Sequence, residues 1–269
     1  DNRIPVAVLG ATGSVGQRFV QLLACHPWFR VAEVVASERS AGKRYREATD
    51  WRLDAFMPEE AADLVVQDYD ANLESPVAFS ALPSEVASEI EQRLAKDGHA
   101  VLSNTSTHRM EPDVPLLIPE VNADHVQAIE AQRRNRGWSG FIATNPNCST
   151  IHMTLTLKPL HDAFGIDAVL VSTMQAVSGA GYPGVPSLDM IDNVIPFISN
   201  EEEKMAAETR KLLGSYAGGR FVEADVTVSA SCHRVPVRDG HTEAVSVRLK
   251  QRATPEDVIE AFREFRGKP

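Results

Sequence analysis

Along the first half of the chain, short runs of β-branched and apolar residues alternate with stretches whose apolar positions recur every three or four residues. That alternation builds parallel βαβ units. Strands are predicted at IPVAVLG (4–10), VAEVVAS (31–37), PVAFSAL (76–82), HAVLSN (99–104) and GFIAT (140–144), with helices at about 14–25, 84–96 and 122–136. After Cys148 the texture changes. A helix-like run reaches about Phe164, and a long strand, IDAVLVSTMQAVSG, follows. Next come a Gly/Pro-rich loop, a charged helix around 200–213 and two strands separated by Arg-Asp-Gly. TPEDVIEAFREFR (254–266) reads as an N-capped helix with Val258, Ile259, Phe262 and Phe265 on its apolar side. The pattern therefore predicts an α/β protein: a doubly wound domain over 1–148 and a second domain over 149–269.

A chain of 269 residues, 43% apolar and 24% charged, is long enough for two lobes with a substantial core. Its 27 Lys plus Arg against 37 Asp plus Glu leave a formal charge of −10, which opposes the general phosphate attraction that nucleic-acid binding needs. An anionic ligand must be held by local basic groups. No apolar run approaches the roughly 18 to 20 residues that cross a bilayer, and DNRIPVAVLG lacks the form of a secretory leader, so a cytoplasmic protein without membrane partners is expected. Cys25, Cys148 and Cys232 are widely spaced and form no CxxC pair, which suggests free thiols and neither a disulfide framework nor a metal site.

GATGSVG (10–16) directly follows the first strand and opens the first helix. Gly10 suits a tight turn, Gly13 lets backbone approach a pyrophosphate, and Gly16 permits close packing of helix on strand. Glycines also serve turns without any ligand, but the strand–glycines–helix context favours a Rossmann-type dinucleotide site. Ser37-Glu38-Arg39-Ser40, at the end of the second strand, should select the nucleotide. Glu38 suits the ribose hydroxyls of NAD, whereas Arg39 with Ser37 and Ser40 suits the 2′-phosphate of NADP. The balance favours NADP.

Cys148 lies between an Asn-Pro-Asn turn and a predicted helix. Unpaired amides and the positive end of the helix dipole there would stabilise a thiolate and lower its pKa, which turns a packing residue into a candidate nucleophile. Cys25, expected on the apolar face of the first helix with Phe19, Leu22 and Leu23, needs no role beyond packing. A thiolate working beside a nicotinamide requires a proton carrier. His26, His99, His125, His152 and His161 read as packing or surface residues. In ASCHRVPVRDGHTEAV (230–245) the Arg-Asp-Gly turn predicts a hairpin that places Arg238 opposite His241 and puts His241 on the face of Pro236 and Arg234, with His233 pointing away.

Taken in order, GATGSVG, ASERSAGKRY, FSALPS, SNTSTHRM, NPNCST, MQAVSGAGYPG, NEEEK and HRVPVRDGH resemble the aspartate-β-semialdehyde dehydrogenases, in the branch typical of archaea and fungi. The resemblance runs through nearly the whole chain. It implies a Rossmann-type NADP domain plus an α+β catalytic and dimerisation domain with a mixed sheet. It also implies the interconversion of L-aspartate-4-semialdehyde, phosphate and NADP⁺ with L-aspartyl-4-phosphate and NADPH, run reductively in biosynthesis of aspartate-family amino acids. Cys148 then resembles the nucleophile, His241 the acid/base, and Gln175 the residue that orients the acyl group. Arg234 resembles the ligand of the substrate carboxylate and Glu201 that of its ammonium; Lys204 and Arg109 resemble the phosphate ligands, and Asn147 adds a hydrogen-bond donor. Cofactor contacts would come from Gly10, Thr12, Gly13, Ser14, Val15, Gly16, Ser37, Arg39, Ser40, Ser80, Ala81, Leu82, Ser178 and Gly179. A homodimer or homotetramer is the implied assembly.

A malonyl-CoA reductase of the same branch would share the thioester step and most motifs; Glu201 with Arg234 matches an amino-acid head group and favours aspartyl phosphate. A non-catalytic NADP-binding protein and a cysteine hydrolase are the readings from other classes, and the pairing of Cys148 with His241 argues against the first. In the resembling family the chain continues for some tens of residues beyond the last helix, so a C-terminal segment is expected to be missing from this sequence.

Overall fold

The computed structural model describes residues 2–267 and divides the chain into two compact units. The first runs to Pro115 and resumes over Ile129–Asn145; the second takes Leu116–Ala128 and the chain from Pro146 onward.

The first unit is built on parallel strands β1 (Ile4–Leu9), β2 (Phe29–Val35), β3 (Val66–Gln67), β4 (Val77–Ser80), β5 (Ala100–Ser103) and β6 (Phe141–Thr144). Their order, β3-β2-β1-β4-β5-β6, is the doubly wound order, with its reversal between β1 and β4. Successive residues of β1 feed opposite cores. Val6 and Val8 pack with Val20 and Leu23, whereas Ala7 and Leu9 pack with Ala87, Ile90 and Leu94. Burial on both faces explains why this strand reads as an unbroken apolar run. Each buried Val or Leu contributes about 1.5–3 kcal/mol.

The helices of this unit are α1 (Ser14–Leu23), α2 (Tyr45–Ala48), α3 (Glu59–Ala62) and α4 (Ser84–Lys96). α5 (Pro119–Asn122), in the second unit, precedes α6 (Ala128–Arg136). α1 ends before Cys25, because the residue ahead of Pro27 is disfavoured in a helix. Cys25 is exposed rather than packed, and its predicted neighbour Leu22 is exposed with it. The helix predicted over 122–136 starts as a 3-10 turn at Ala123–Gln127, becomes α-helical at Ala128, and is followed by Gly137 at φ +66°. The four-residue helices and two-residue β3 are too short for any period to show in the sequence.

The second unit contains α7 (Cys148–Phe164), β7 (Ile166–Gln175), α8 (Ser187–Met190), α9 (Glu201–Leu212), β8 (Ser215–Ala217), β9 (Arg220–Val222), β10 (Thr227–Arg234), β11 (Thr242–Leu249) and α10 (Pro255–Glu264). Met153, Leu157 and Leu160 of α7 pack with Val169 and Val171 of β7 and Met205 of α9. α10 is capped by a reciprocal Thr254–Asp257 box; Val258 meets the core, while Ile259 and Phe262 remain exposed. No helix among the described residues is long and apolar enough to cross a membrane.

The hairpin expected across Arg-Asp-Gly does not form. β7 lies between β10, parallel to it, and β11, antiparallel to it. Two full eight-residue edges on a ten-residue apolar strand offer far more ladder and burial than one local turn does, so tertiary pairing wins. The connecting segment crosses the end of β7. Val235 donates to Gln175 O at 3.0 Å, and Val177 and Ser178 donate to Val237 and Arg238 at 2.8 and 3.1 Å.

Candidate active site

α7 begins at Cys148 because Asn147 caps it: Asn147 Oδ1 accepts from the amides of Ser149 and Thr150 at 3.0 and 3.2 Å. Asn147 is itself held by two acids of α9. Its amide donates to Glu208 Oε2 at 2.6 Å and its Nδ2 to Glu201 Oε2 at 2.7 Å. The acids sit seven residues apart, two turns along one helical face. The nucleophile candidate is thereby fixed from behind, and the Asn147 donor is spent on Glu201.

His241 approaches from the crossing segment. Its Nε2 lies 3.2 Å from Cys148 Sγ, while its Nδ1 accepts from the Ala176 amide at 3.0 Å. That amide selects the neutral tautomer with the proton on Nε2, facing sulfur. Arg234, at the end of β10, donates from Nη1 to Ala176 O at 2.7 Å. Arg234 and His241 thus converge on one residue, though through the end of β7 and not through a hairpin. His233 turns away to Thr173 O at 3.1 Å. Gly179 closes this corner: a Cβ there would stand 2.9 Å from Arg234 Nη1 and 3.1 Å from His241 Cε1. Buried Gln175 donates to Thr173 Oγ1 and Glu201 Oε2 at 3.3 and 3.4 Å, and Lys204, one turn along α9, lies 3.5 Å from Glu201 Oε1.

The charges decide the resting state. The amides of Ser149 and Cys148, with Arg234, favour a thiolate, as the helix start leads one to expect, but crowding by protein and the Glu201 carboxylate outweigh them and push the Cys148 thiol up. Burial, then His152 and Arg234, push His241 down. Both directions favour a neutral thiol and imidazole over an ion pair. Alkylation of Cys148 by iodoacetamide should therefore keep accelerating past the pH at which an ordinary thiol levels off. Glu201→Gln should move that profile to lower pH; an unchanged profile would remove Glu201 as a cause.

In the first unit, Gly10 sits at φ +71° and a Cβ on it would stand 2.4 Å from Ala81 O, at the strand-order reversal. A Cβ on Gly16 would stand 2.2 Å from Gly10 O. Gly13 has ordinary space, 3.4 Å to Gly10 O, and caps α1 without a side-chain hydrogen bond, which leaves the helix start open to an anion. Thr12 O accepts from Gln17 Nε2 at 3.0 Å, and Val15 is exposed beside half-buried Ser14. Ser37 and Ser40 form a turn, Ser40 N to Ser37 O at 2.9 Å, with Arg39 exposed on it. Leu82 is buried, and the Ser80 hydroxyl is engaged inside, 2.6 Å from the buried Glu91 carboxylate. Arg109 lies after β5 and donates to Asn104 O at 2.9 Å; the preceding His108 is wedged between Glu91 and Glu111. Ser178, by contrast, belongs to the second unit. No metal-binding cluster of His, Cys, Asp or Glu occurs among the described residues.

Glu208 and the Ala176 amide escaped the sequence reading. The first was visible only as an acid seven residues beyond Glu201, and a backbone group carries no sequence signal.

A cysteine faced by an imidazole, with a carboxylate, an amide and a guanidinium around it, stands on a chain that also builds a doubly wound glycine-loop sheet, the combination expected of a nucleotide-dependent dehydrogenase. Family models agree: residues 5–129 match "Semialdehyde dehydrogenase, NAD binding domain" and 157–269 match "Semialdehyde dehydrogenase, dimerisation domain". The chain belongs to the aspartate-semialdehyde dehydrogenase family. It is 55% identical over 268 residues to the aspartate-semialdehyde dehydrogenase of Methanothermobacter thermautotrophicus, covering 99% of this chain and 77% of that one. The crystal structure of the Candida albicans enzyme with NADP superposes with a TM-score of 0.90 at 43% identity, over 98% of this chain and 77% of that one. Aspartate semialdehyde dehydrogenase II of Vibrio cholerae, complexed with ASA, gives 0.77 at 31% identity, over 98% and 80%.

Proposed function

We propose that this chain interconverts L-aspartate-4-semialdehyde, phosphate and NADP⁺ with L-aspartyl-4-phosphate and NADPH, and that the reductive direction serves biosynthesis of aspartate-family amino acids. The observation that carries this reading is the gathering, within one unit, of Cys148 and His241 at 3.2 Å with Arg234, Glu201 and Gln175 around them. The thiol serves the acyl carbon, and the guanidinium and carboxylate match the two charged ends of an amino acid.

In the reductive direction Cys148 attacks the acyl phosphate to form a thioester, Gln175 orients the acyl oxygen, and Lys204 neutralises the departing phosphate; family resemblance gives Arg109 the same task. The thiol proton of Cys148 leaves with the phosphate as the S–C bond forms and the C–O bond breaks; the Nε2–H of His241 then hydrogen-bonds to the oxygen that gathers charge, and a proton taken up from solvent by way of His241 returns to the sulfur as it is released. Asn147 holds the start of α7 in place throughout. NADPH, when bound, supplies the hydride. The open start of α1 at Gly13 fits a pyrophosphate, and the turn of Ser37, Arg39 and Ser40 fits a 2′-phosphate.

Assaying the nicotinamide band tests the assignment. Semialdehyde, phosphate and NADP⁺ together should raise it, and omission of phosphate should stop the change; turnover only with a CoA thioester would overturn the reading. Arg39→Ala should weaken NADPH but not NADH binding by about 1.5–3 kcal/mol, because only the former carries a 2′-phosphate. Equal losses in a fluorescence titration would leave Arg39 without that role. The dimerisation-domain match supports self-association. A dimer or tetramer is the proposed form, to be read by sedimentation, and the cytosol its proposed place.

A further inference from the structure

His152 lies one turn beyond Cys148 on α7, and its Nε2 is 2.8 Å from Glu243 Oε1. Glu243 stands two residues past His241 at the start of β11, and its side chain is only 6% exposed. The His152 ring meets the His241 ring edge-on, with centroids 6.0 Å apart and planes at 78°. Neither residue has a part in the reaction proposed above, yet the His152 ring packs against His241 and Glu243 bonds to His152.

We propose that His152 and Glu243 form a second dyad that positions His241 against Cys148 and sets the charge around it. His241 is tethered at Nδ1 by Ala176 and directed at Nε2 toward sulfur, and a turn of the ring about its Cβ–Cγ bond is enough to lose both contacts. The His152 ring blocks that rotation, and Glu243 holds the His152 ring in place. The charged and titratable groups that act on His241 are Cys148 and His152 from α7, Arg234 from β10, Glu201 from α9 and Glu243 from β11. Protonated His152 and Arg234 oppose a charge on His241; Glu243 and Glu201 favour it. Burial acts first to keep the His241 imidazole neutral at sulfur; His152 adds to that whenever it carries a proton, and Glu243 limits the effect.

This inference rests on the catalytic reading of Cys148 and His241, but its principal test needs no turnover. In His152→Phe the ring stays and its charge goes, so the NMR titration of the His241 ring should move to higher pH. Adding Glu243→Gln to that variant should bring the midpoint back down, since the remaining nearby acid is then lost. A purely structural contact would not move the midpoint in opposite directions. With kinetics added, His152→Ala should lower kcat about tenfold at unchanged KM, and His152→Phe should restore most of it. Thermal unfolding shows that each variant is folded; His152 is 44% exposed and tolerant of change. A His241 midpoint unmoved by His152→Phe, or moved further the same way by Glu243→Gln, overturns the proposal. Loss of the coupling with full dehydrogenase activity would sink the dyad alone, whereas intact coupling without such activity would sink the catalytic reading alone.

Discussion

Replacing Cys148 by alanine should abolish turnover, by about 10⁴-fold or more, and leave NADP binding nearly intact. In the proposed reaction the sulfur is the atom to which the acyl group is transferred, so its loss removes a bond and not a contact. The change is also small in structural terms. The start of α7 is held by Asn147, Glu201 and Glu208, none of which bonds to the Cys148 side chain. The glycine loop lies in the other unit, so a fluorescence titration with NADPH should be unchanged. His241→Ala should cost less, about 10²–10⁴-fold, because the imidazole assists a step that the thiol performs. Cys25→Ala should be silent, since Cys25 is exposed. Turnover within tenfold of the parent in Cys148→Ala would refute the nucleophile assignment.

The largest structural effect is expected from Gly16→Val. At this position even the first carbon of a side chain would stand 2.2 Å from Gly10 O and 2.7 Å from Ala11 Cα, both backbone atoms of the loop after β1. Neither can swing aside like a side chain, so α1 must lift from the sheet and take Val20 and Leu23 partly out of their core. Overpacking of this kind typically costs about 1–3 kcal/mol, and the added loss of two apolar contacts places this case at the upper end or above. Gly13→Ala supplies the contrast. With 3.4 Å of room it should leave the unfolding midpoint within a degree or two, yet weaken NADP by occupying the space that a pyrophosphate needs. Calorimetry and cofactor titration on the pair decide it: equal stability losses in both variants would show that the loop is structural and no nucleotide cradle.

Much of the first unit was legible because its signals are local. A strand buried on both faces must be apolar at every position, and a helix packed onto it by one face must repeat every three or four residues, so β1 and α4 stand out from residue order alone. The same locality misled at Cys25, where continuing the apolar period past Leu23 ignored the helix-breaking neighbourhood of Pro27. At Cys148 the helix starts where the sequence put it, but burial and a distant acid reverse the shift that the dipole argument expected. The acid that raises the thiol, Glu201, is 53 residues away in sequence, and no periodicity links the two.

By itself the sequence determined the doubly wound first half, the glycine loop, the start of α7 at Cys148 and the single helical face shared by Glu201 and Lys204, all of which follow from chain geometry over a few residues. Only the tertiary structure decided that β7 enters between β10 and β11, that the Ala176 amide chooses the His241 tautomer, that Glu208 grips the cap of α7, and that His152 leans on His241. Those outcomes depend on which distant segments compete for the same edge or the same buried polar atom, and that competition is settled by total burial and hydrogen bonding across the unit, quantities that no short stretch of residues contains.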